Sequence, residues 1–255
     1  MNPSLIAVPS ALVATLAAMA VRGAAHPRSQ LFGHTITHTN SRKKLAITFD
    51  DGPNPAITPQ LLDLLAKYNA PATFFLVGKY VRKSPALVKE IAARGHLIGN
   101  HTETHPHLVF CGRQETHQEL HTCSQAIAHI LQEEPRWFRP PFGLRSPWTV
   151  EIARQLGMRT VMWTLLPGDW RAKPTDWLIR KMNPIAIHAN APKNPTAKAN
   201  PTKGDVLCLH DGDYARPGAD RTHTLAALQY WLPRWRDLGL EFVTMSQVFG
   251  KAGVA

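Results

Sequence analysis

The chain has 255 residues, 44% of them hydrophobic; that is enough to bury a real core, and α/β barrels commonly occupy this length as one domain. Its 29 Lys and Arg outweigh 18 Asp and Glu to a net charge of +11, which suits an acidic partner such as an anionic cell-wall polymer, nucleic acid or lipid headgroups. The basic residues gather in an entry segment (Arg22, Arg28, Arg42, Lys43, Lys44) and in a Pro/Asn/Ala-rich loop (Lys193, Lys198, Lys203). They form no base-reading stripe, so no nucleic-acid partner is expected. Three cysteines, Cys111, Cys123 and Cys208, lack Cys-x-x-Cys spacing and an even count, which argues against a structural zinc finger and a disulfide framework. Cys208 reads as a small buried hydrophobe, and Cys111 and Cys123 are candidates to pair in an oxidising compartment.

Taken in chain order, Leu5 to Val21 is uncharged and rich in Ala, Leu and Val, long enough at about 1.5 Å per residue to cross most of a ~30 Å hydrocarbon layer. Residues 1–23 read as a signal peptide or membrane anchor, with a helix packed on the domain as the alternative. The first basic residues follow the run, and by the positive-inside rule that leaves the domain cytoplasmic. The expected setting is therefore membrane-associated or secreted, in the cell envelope, with the sidedness open. Residues 24–44 read as a connecting arm and residues 45–255 as the domain proper.

Leu45 to Pro53 is an apolar strand ending in Asp50-Asp51-Gly52-Pro53, two carboxylates at the mouth of a strand followed by a turn. One can bind a metal while the other moves a proton. Thr58-Pro59 supplies an N-cap and a proline at the first helical position for a helix ending near Asn69, Ala72 to Val77 is a strand, and Ser84-Pro85 opens a helix closed by Arg94-Gly95. His96 to Asn100 is a strand delivering His101 and His105. Gln114 to Glu134 is a helix, and Trp137-Phe138-Arg139 is a strand running into Pro140-Pro141. A helix from Ser146-Pro147 to Gly157 follows, then a strand over Thr160 to Thr164 that leads to Asp169-Trp170. Ile185 to Lys203 looks like an irregular insertion. Val206 to Leu209 is a strand ending at His210, and a Thr222 to Leu238 helix precedes a last strand over Glu241 to Thr244. The repeated β-then-α order predicts an α/β fold in which loops after successive strands meet on one face.

Five motifs stand in order: Asp50-Asp51-Gly-Pro, His101-Thr-Glu-Thr-His105-Pro, Arg139-Pro-Pro-Phe142-Gly, Asp169-Trp170, and Leu209-His210-Asp-Gly. Together they resemble the polysaccharide deacetylases, the carbohydrate esterase family that includes chitin, chitooligosaccharide and peptidoglycan N-deacetylases. The resemblance covers roughly Leu45 to the C-terminus and implies a distorted, incomplete (β/α) barrel. It also implies an N-acetylated glycan as substrate and a divalent metal, zinc first, with cobalt, manganese or iron also compatible with the donors.

One carboxylate and two imidazoles satisfy a catalytic metal that keeps an open position, and Asp51, His101 and His105 fit that set. The Pro after His105 points to a loop or single turn rather than a helix. The resemblance makes Asp50 the base, Arg139 its cationic partner, His210 the general acid and Asp169 the carboxylate that orients it. It puts an oxyanion-stabilising N–H on Phe142 and makes Trp170 and Leu209 the enclosure of the acetyl methyl group. Leu-Leu-Pro-Gly before Asp169 departs from the fuller family pattern, which carries a further acid there. Two other readings use the same residues: a non-haem iron oxygenase built on two His and one carboxylate, and a non-catalytic carbohydrate-binding envelope domain on the same fold.

Overall fold

A computed structural model describes residues 4–191 and 202–250; Lys193 and Lys198 of the expected basic loop lie outside the described residues. The elements in order are α1 (Ser4–Ala25), β1 (Lys44–Gly52), α2 (Thr58–Lys67), β2 (Thr73–Leu76), α3 (Gly78–Lys83), α4 (Pro85–Ala93), β3 (Leu97–Asn100) and α5 (Arg113–Leu131). They continue with β4 (Trp137–Phe138), α6 (Thr149–Gln155), β5 (Arg159–Thr160), α7 (Thr175–Asn190), β6 (Val206–His210), α8 (Thr222–Asp237), β7 (Glu241–Phe242) and α9 (Met245–Phe249).

The strands pair in parallel in the order β5-β4-β3-β2-β1-β6, with β7 against the start of β1. Beyond β5, Leu165 bridges Leu207 in parallel and the Cys208 N–H donates to the Leu165 carbonyl at 3.0 Å. The sheet thus curls until its two edges touch through one bridge, giving the distorted, incomplete (β/α) barrel that the motif order implies.

Alternation along β1 divides its side chains between two cores. Leu45, Ile47 and Phe49 pack outward with Leu61, Leu65, Val88, Leu228 and Leu232 of the surrounding helices, each such fully buried side chain contributing on the order of 1.5–3 kcal/mol. Ala46 packs inward with Phe75, Trp137 and Val206, and Thr48 and Asp50 continue that inner column toward the mouth.

Several local expectations are corrected. Thr58 is not the N-cap of α2, whose cap is Ile57; its hydroxyl instead donates to Asp211 Oδ2 at 2.5 Å. Of the expected Thr160 to Thr164 strand only Thr160 stays in β5 (Arg159–Thr160), because Arg139 inserts beside it and its Nε and Nη2 donate to the Val161 and Met162 carbonyls at 3.3 and 3.0 Å. Those carbonyls are no longer free for a neighbouring strand. Helix α7 runs through Pro184 into the segment read as irregular, its Leu178, Met182, Ile185 and Ala189 buried at helical spacing.

The N-terminal run is helical, yet among the described residues no helix is long and apolar enough to cross a membrane, so the spanning anchor over residues 5–21 is not supported. Nor is it a buried helix: residues 11–22 are exposed, and packing begins at Gly23, where Arg145 Nη2 takes the Gly23 and His26 carbonyls at 2.9 and 2.7 Å. The three cysteines are all free and buried, so Cys111 and Cys123 are unpaired.

Candidate active site and metal centre

The β1–β2 register steps from Asp50↔Phe75 to Gly52↔Leu76, leaving Asp51 as the extra residue of a bulge with φ of 71°. Strict alternation would send Asp50 inward and Asp51 outward among the helices. The bulge turns Asp51 back, and both carboxylates line one cavity of about 580 Å³ at the barrel mouth.

The segment after β3 is shaped by side chains that replace helical hydrogen bonds. Asn100 Oδ1 accepts the Thr102 N–H at 2.8 Å and Thr102 Oγ1 accepts the His105 N–H at 3.0 Å. Thr102 and His105 take φ of 65° and 67°, so the His-x-x-x-His segment is a tight loop, as the proline after it suggests. It brings the two imidazoles to a centroid separation of 4.9 Å.

Asp51 Oδ1 lies 3.4 Å from His101 Nε2 and 3.1 Å from His105 Nε2, and it is buried without a hydrogen-bond partner. His101 Nδ1 faces the Arg139 carbonyl at 2.7 Å; a carbonyl only accepts, so Nδ1 carries a proton and Nε2 is the nitrogen turned toward Asp51. Burial works against a charged Asp51, but the His101 and His105 imidazoles outweigh it and hold the carboxyl well below its ordinary range. Burial also lowers the His105 value, against the pull of Asp51, which favours the neutral ring a metal needs. A buried carboxylate oxygen and two imidazole nitrogens converging on one another fit a divalent cation.

Asp50 keeps different company. Its Oδ1 accepts from Arg139 Nη1 at 2.8 Å, and the same Nη1 donates to Thr48 Oγ1 at 2.6 Å. The guanidinium is fully buried and lies over the Phe75 ring at 4.3 Å. Asp50 Oδ2, turned toward the cavity, is 4.0 Å from His101 Nε2.

His210, at the end of β6, gives its Nδ1–H to Asp169 Oδ1 at 2.8 Å, while its own backbone N–H goes to Asp169 Oδ2 at 2.8 Å. Thr224 Oγ1 also donates to Oδ2, at 3.1 Å. With Nδ1 committed, Nε2 faces the cavity. Burial alone would lower the His210 value; Asp169 first, then Asp51 and Asp50, outweigh it and raise it to about 9, so the ring is protonated at neutral pH.

Phe142, with φ of 57°, stacks on His107 at 4.0 Å, and its N–H donates to no protein group among the described residues. Trp170 meets His210 edge-on at 5.2 Å and is partly exposed at the rim. Leu209 does not reach the cavity, which corrects its place beside the acetyl group. By β6 alternation it is fully buried in the outer core with Phe49 and Leu207, and Cys208 takes the inward position with Trp163 and Leu166. Cys208 is buried as expected, but its thiol donates to Asp50 Oδ2 at 3.3 Å. The motif reading also missed Tyr214, which stacks on His105 with centroids 4.3 Å apart and 15° between planes. Its signal was an aromatic four residues past a site-bearing strand, in a Gly/Pro-rich loop.

Residues 37–161 match the model of the polysaccharide deacetylase family. The chain is 37% identical over 209 residues to a peptidoglycan-N-acetylglucosamine deacetylase of Bacillus cereus, covering 82% of this chain and 89% of that one. It is 34% identical over 215 residues to a chitooligosaccharide deacetylase of Bradyrhizobium sp. (strain ANU 289), covering 81% and 90%. This chain belongs to the polysaccharide deacetylase family. Among solved structures, a peptidoglycan N-acetylglucosamine deacetylase in complex with 4-naphthalen-1-yl-N-oxidanyl-benzamide superposes with a TM-score of 0.74 at 27% identity, covering 87% of this chain and 94% of that one. A family pseudoenzyme from Bacillus anthracis shares the fold with a TM-score of 0.70 at 23% identity, covering 84% and 68%.

Proposed function

We propose that this chain is a metal-dependent N-deacetylase that hydrolyses the acetamide of N-acetylhexosamine residues in a glycan and releases acetate. The observation that carries this reading is the buried, unpartnered Asp51 Oδ1 facing two imidazole Nε2 atoms, next to a separately held carboxylate, Asp50, and a protonated imidazole, His210. Asp51, His101 and His105 would hold the ion. When bound, it supplies Lewis acidity to water and to the amide carbonyl, and zinc, cobalt, manganese and iron all suit these donors.

Asp50, kept in place through Oδ1 by Arg139, receives a proton from the attacking water on Oδ2. The free Phe142 N–H is available to the carbonyl oxygen as negative charge develops on it. As the C–O bond forms and the C–N bond breaks, His210 delivers its Nε2 proton to the leaving amine, and Asp169 holds the ring in the orientation that permits this. Trp163, Leu166 and Cys208 give the acyl methyl an apolar wall. Phe142, Trp170 and Tyr214, all partly exposed at the rim, offer flat faces for pyranose rings.

The relatives named above are deacetylases of peptidoglycan N-acetylglucosamine and of chitooligosaccharide by their descriptions, which supports this substrate class. The N-oxidanyl amide bound to the solved relative is a metal-chelating group, in keeping with the metal. A non-catalytic glycan-binding role is the second reading, favoured by the pseudoenzyme of the same fold. The two separate on acetate and free amine released from a panel of chitin oligomers, peptidoglycan and exopolysaccharide. Deacetylation of at least one supports the enzyme; binding without release supports the second reading.

A further inference from the structure

Cys208 stands where the barrel interior meets the proposed acid and base. A carboxylate oxygen of Asp50, the Cys208 thiol and a His210 nitrogen form a cluster whose donor atoms all lie within 4.8 Å of one another. No residue of this cluster belongs to the Asp51, His101, His105 set. Each member is already oriented as a ligand would be. Asp50 has one oxygen fixed by Arg139 at 2.8 Å, so the other is left for monodentate binding. His210 has Nδ1 fixed by Asp169 at 2.8 Å, the carboxylate–histidine arrangement that commonly supports a metal-bound imidazole. The thiol is 3.3 Å from Asp50 Oδ2.

We propose that Asp50, Cys208 and His210 form a second metal site, selective for a thiophilic divalent ion such as zinc, cobalt or cadmium, which fills after the first and shuts the enzyme down. Carboxylate, thiolate and imidazole are together a donor set for borderline-soft ions and a poor one for magnesium or calcium. Zinc bonds of about 2.0–2.3 Å place tetrahedral donors roughly 3.3–3.8 Å apart, so the side chains close by about an ångström on binding. The ion displaces two protons to solvent, that of the Cys208 thiol and that of His210 Nε2, leaving the sulfur as thiolate and the ring neutral. The Asp51 oxygen already lies 3.4 and 3.1 Å from the two imidazole nitrogens of the first set, so that set needs no such closure and takes the first ion.

An ion held there occupies both the lone pair of Asp50 Oδ2 and the Nε2 of His210. On the deacetylase reading above, on which the inhibition rests but the binding does not, base and acid are lost together. Activity should fall on the order of 10²-fold or more.

Cobalt(II) added stepwise to the metal-free full chain tests this, with bound ions counted by equilibrium dialysis and near-ultraviolet absorption recorded for cobalt–thiolate charge transfer. The first equivalent should give no charge-transfer band. The second should give one, release two protons and suppress deacetylation, while magnesium does none of these. Cys208→Ser and Cys208→Ala should each bind a single ion without the band, and excess zinc should inhibit each far less, relative to its own singly loaded activity, than it inhibits the wild type. A wild-type chain that binds one ion only, or two without the band, overturns the second site and leaves the first intact. A band that persists in both variants places the thiolate elsewhere and overturns it equally. A band with the first equivalent overturns the filling order and, with it, the assignment of the first ion to Asp51, His101 and His105.

Discussion

Asp50 and Asp51 are consecutive residues on β1 that open on the same cavity, yet Asp50 Oδ1 is paired with Arg139 at 2.8 Å while Asp51 Oδ1 lies 3.1 Å from His105 Nε2. The bulge that leaves Asp51 unpaired with β2 allows two adjacent carboxylates to serve different chemistry. Asp50→Asn should therefore keep its metal and lose on the order of 10²-fold or more in kcat. Metal analysis beside kinetics checks it, and loss of the metal would exchange the roles of the two residues.

Arg139 serves the fold as much as the site. It donates to Thr48, Asp50 and the Val161 and Met162 carbonyls from a fully buried position. Arg139→Met leaves Asp50 Oδ1 and two carbonyls without a donor, which should cost roughly 3–5 kcal/mol and lower Tm by on the order of 10 °C. Calorimetry on the metal-free chain measures this, and an unchanged Tm would contradict a supporting role for Arg139 in the short β4–β5 edge.

His210 titrates at about 9 because Asp169 and the other cavity carboxylates overcome its burial. A value above the ordinary one means the pair stabilises the folded chain fully below about 6.5. That contribution fades as pH rises toward 9. The same proton is the one given to the leaving amine. Asp169→Asn should move the alkaline limb of the kcat profile to lower pH and remove that part of the pH-dependent stability, with metal content unchanged. An unmoved alkaline limb would take Asp169 out of this role.

Tyr214 stacks on His105 and is partly exposed at the rim. Tyr214→Ala should raise KM for oligomeric glycans by roughly three- to tenfold, the scale of a lost aromatic platform, and Tyr214→Phe should restore it. Kinetics on short and long oligomers check this; a variant that loses metal instead would show that the ring serves His105 alone.

The strand-to-helix order and the motif residues were legible because each lies at the end of an apolar run that punctuation closes. What stayed hidden depended on neighbours. The bulge at Asp51 exists only relative to β2, and the truncation of β5 depends on where the Arg139 side chain goes. Helix α7 was masked by Pro184, which its buried stripe of Leu178, Met182, Ile185 and Ala189 overrides. The exchange of Leu209 for Cys208 was available in principle: counting back from His210 by twos places Cys208 inward, but a motif read residue by residue does not ask which face a side chain takes.

The most direct measurement is acetate release from N-acetylglucosamine oligomers by the chelator-stripped chain, before and after one equivalent of zinc or cobalt, with bound metal counted in parallel for wild type and His105→Ala. The stripped wild type should be inactive and recover with close to one ion bound, while His105→Ala should neither retain the ion nor recover. Full activity in the stripped chain, or an unchanged metal count in His105→Ala with no cobalt–thiolate band to place that ion at Cys208, would contradict a metal-dependent deacetylase built on Asp51, His101 and His105.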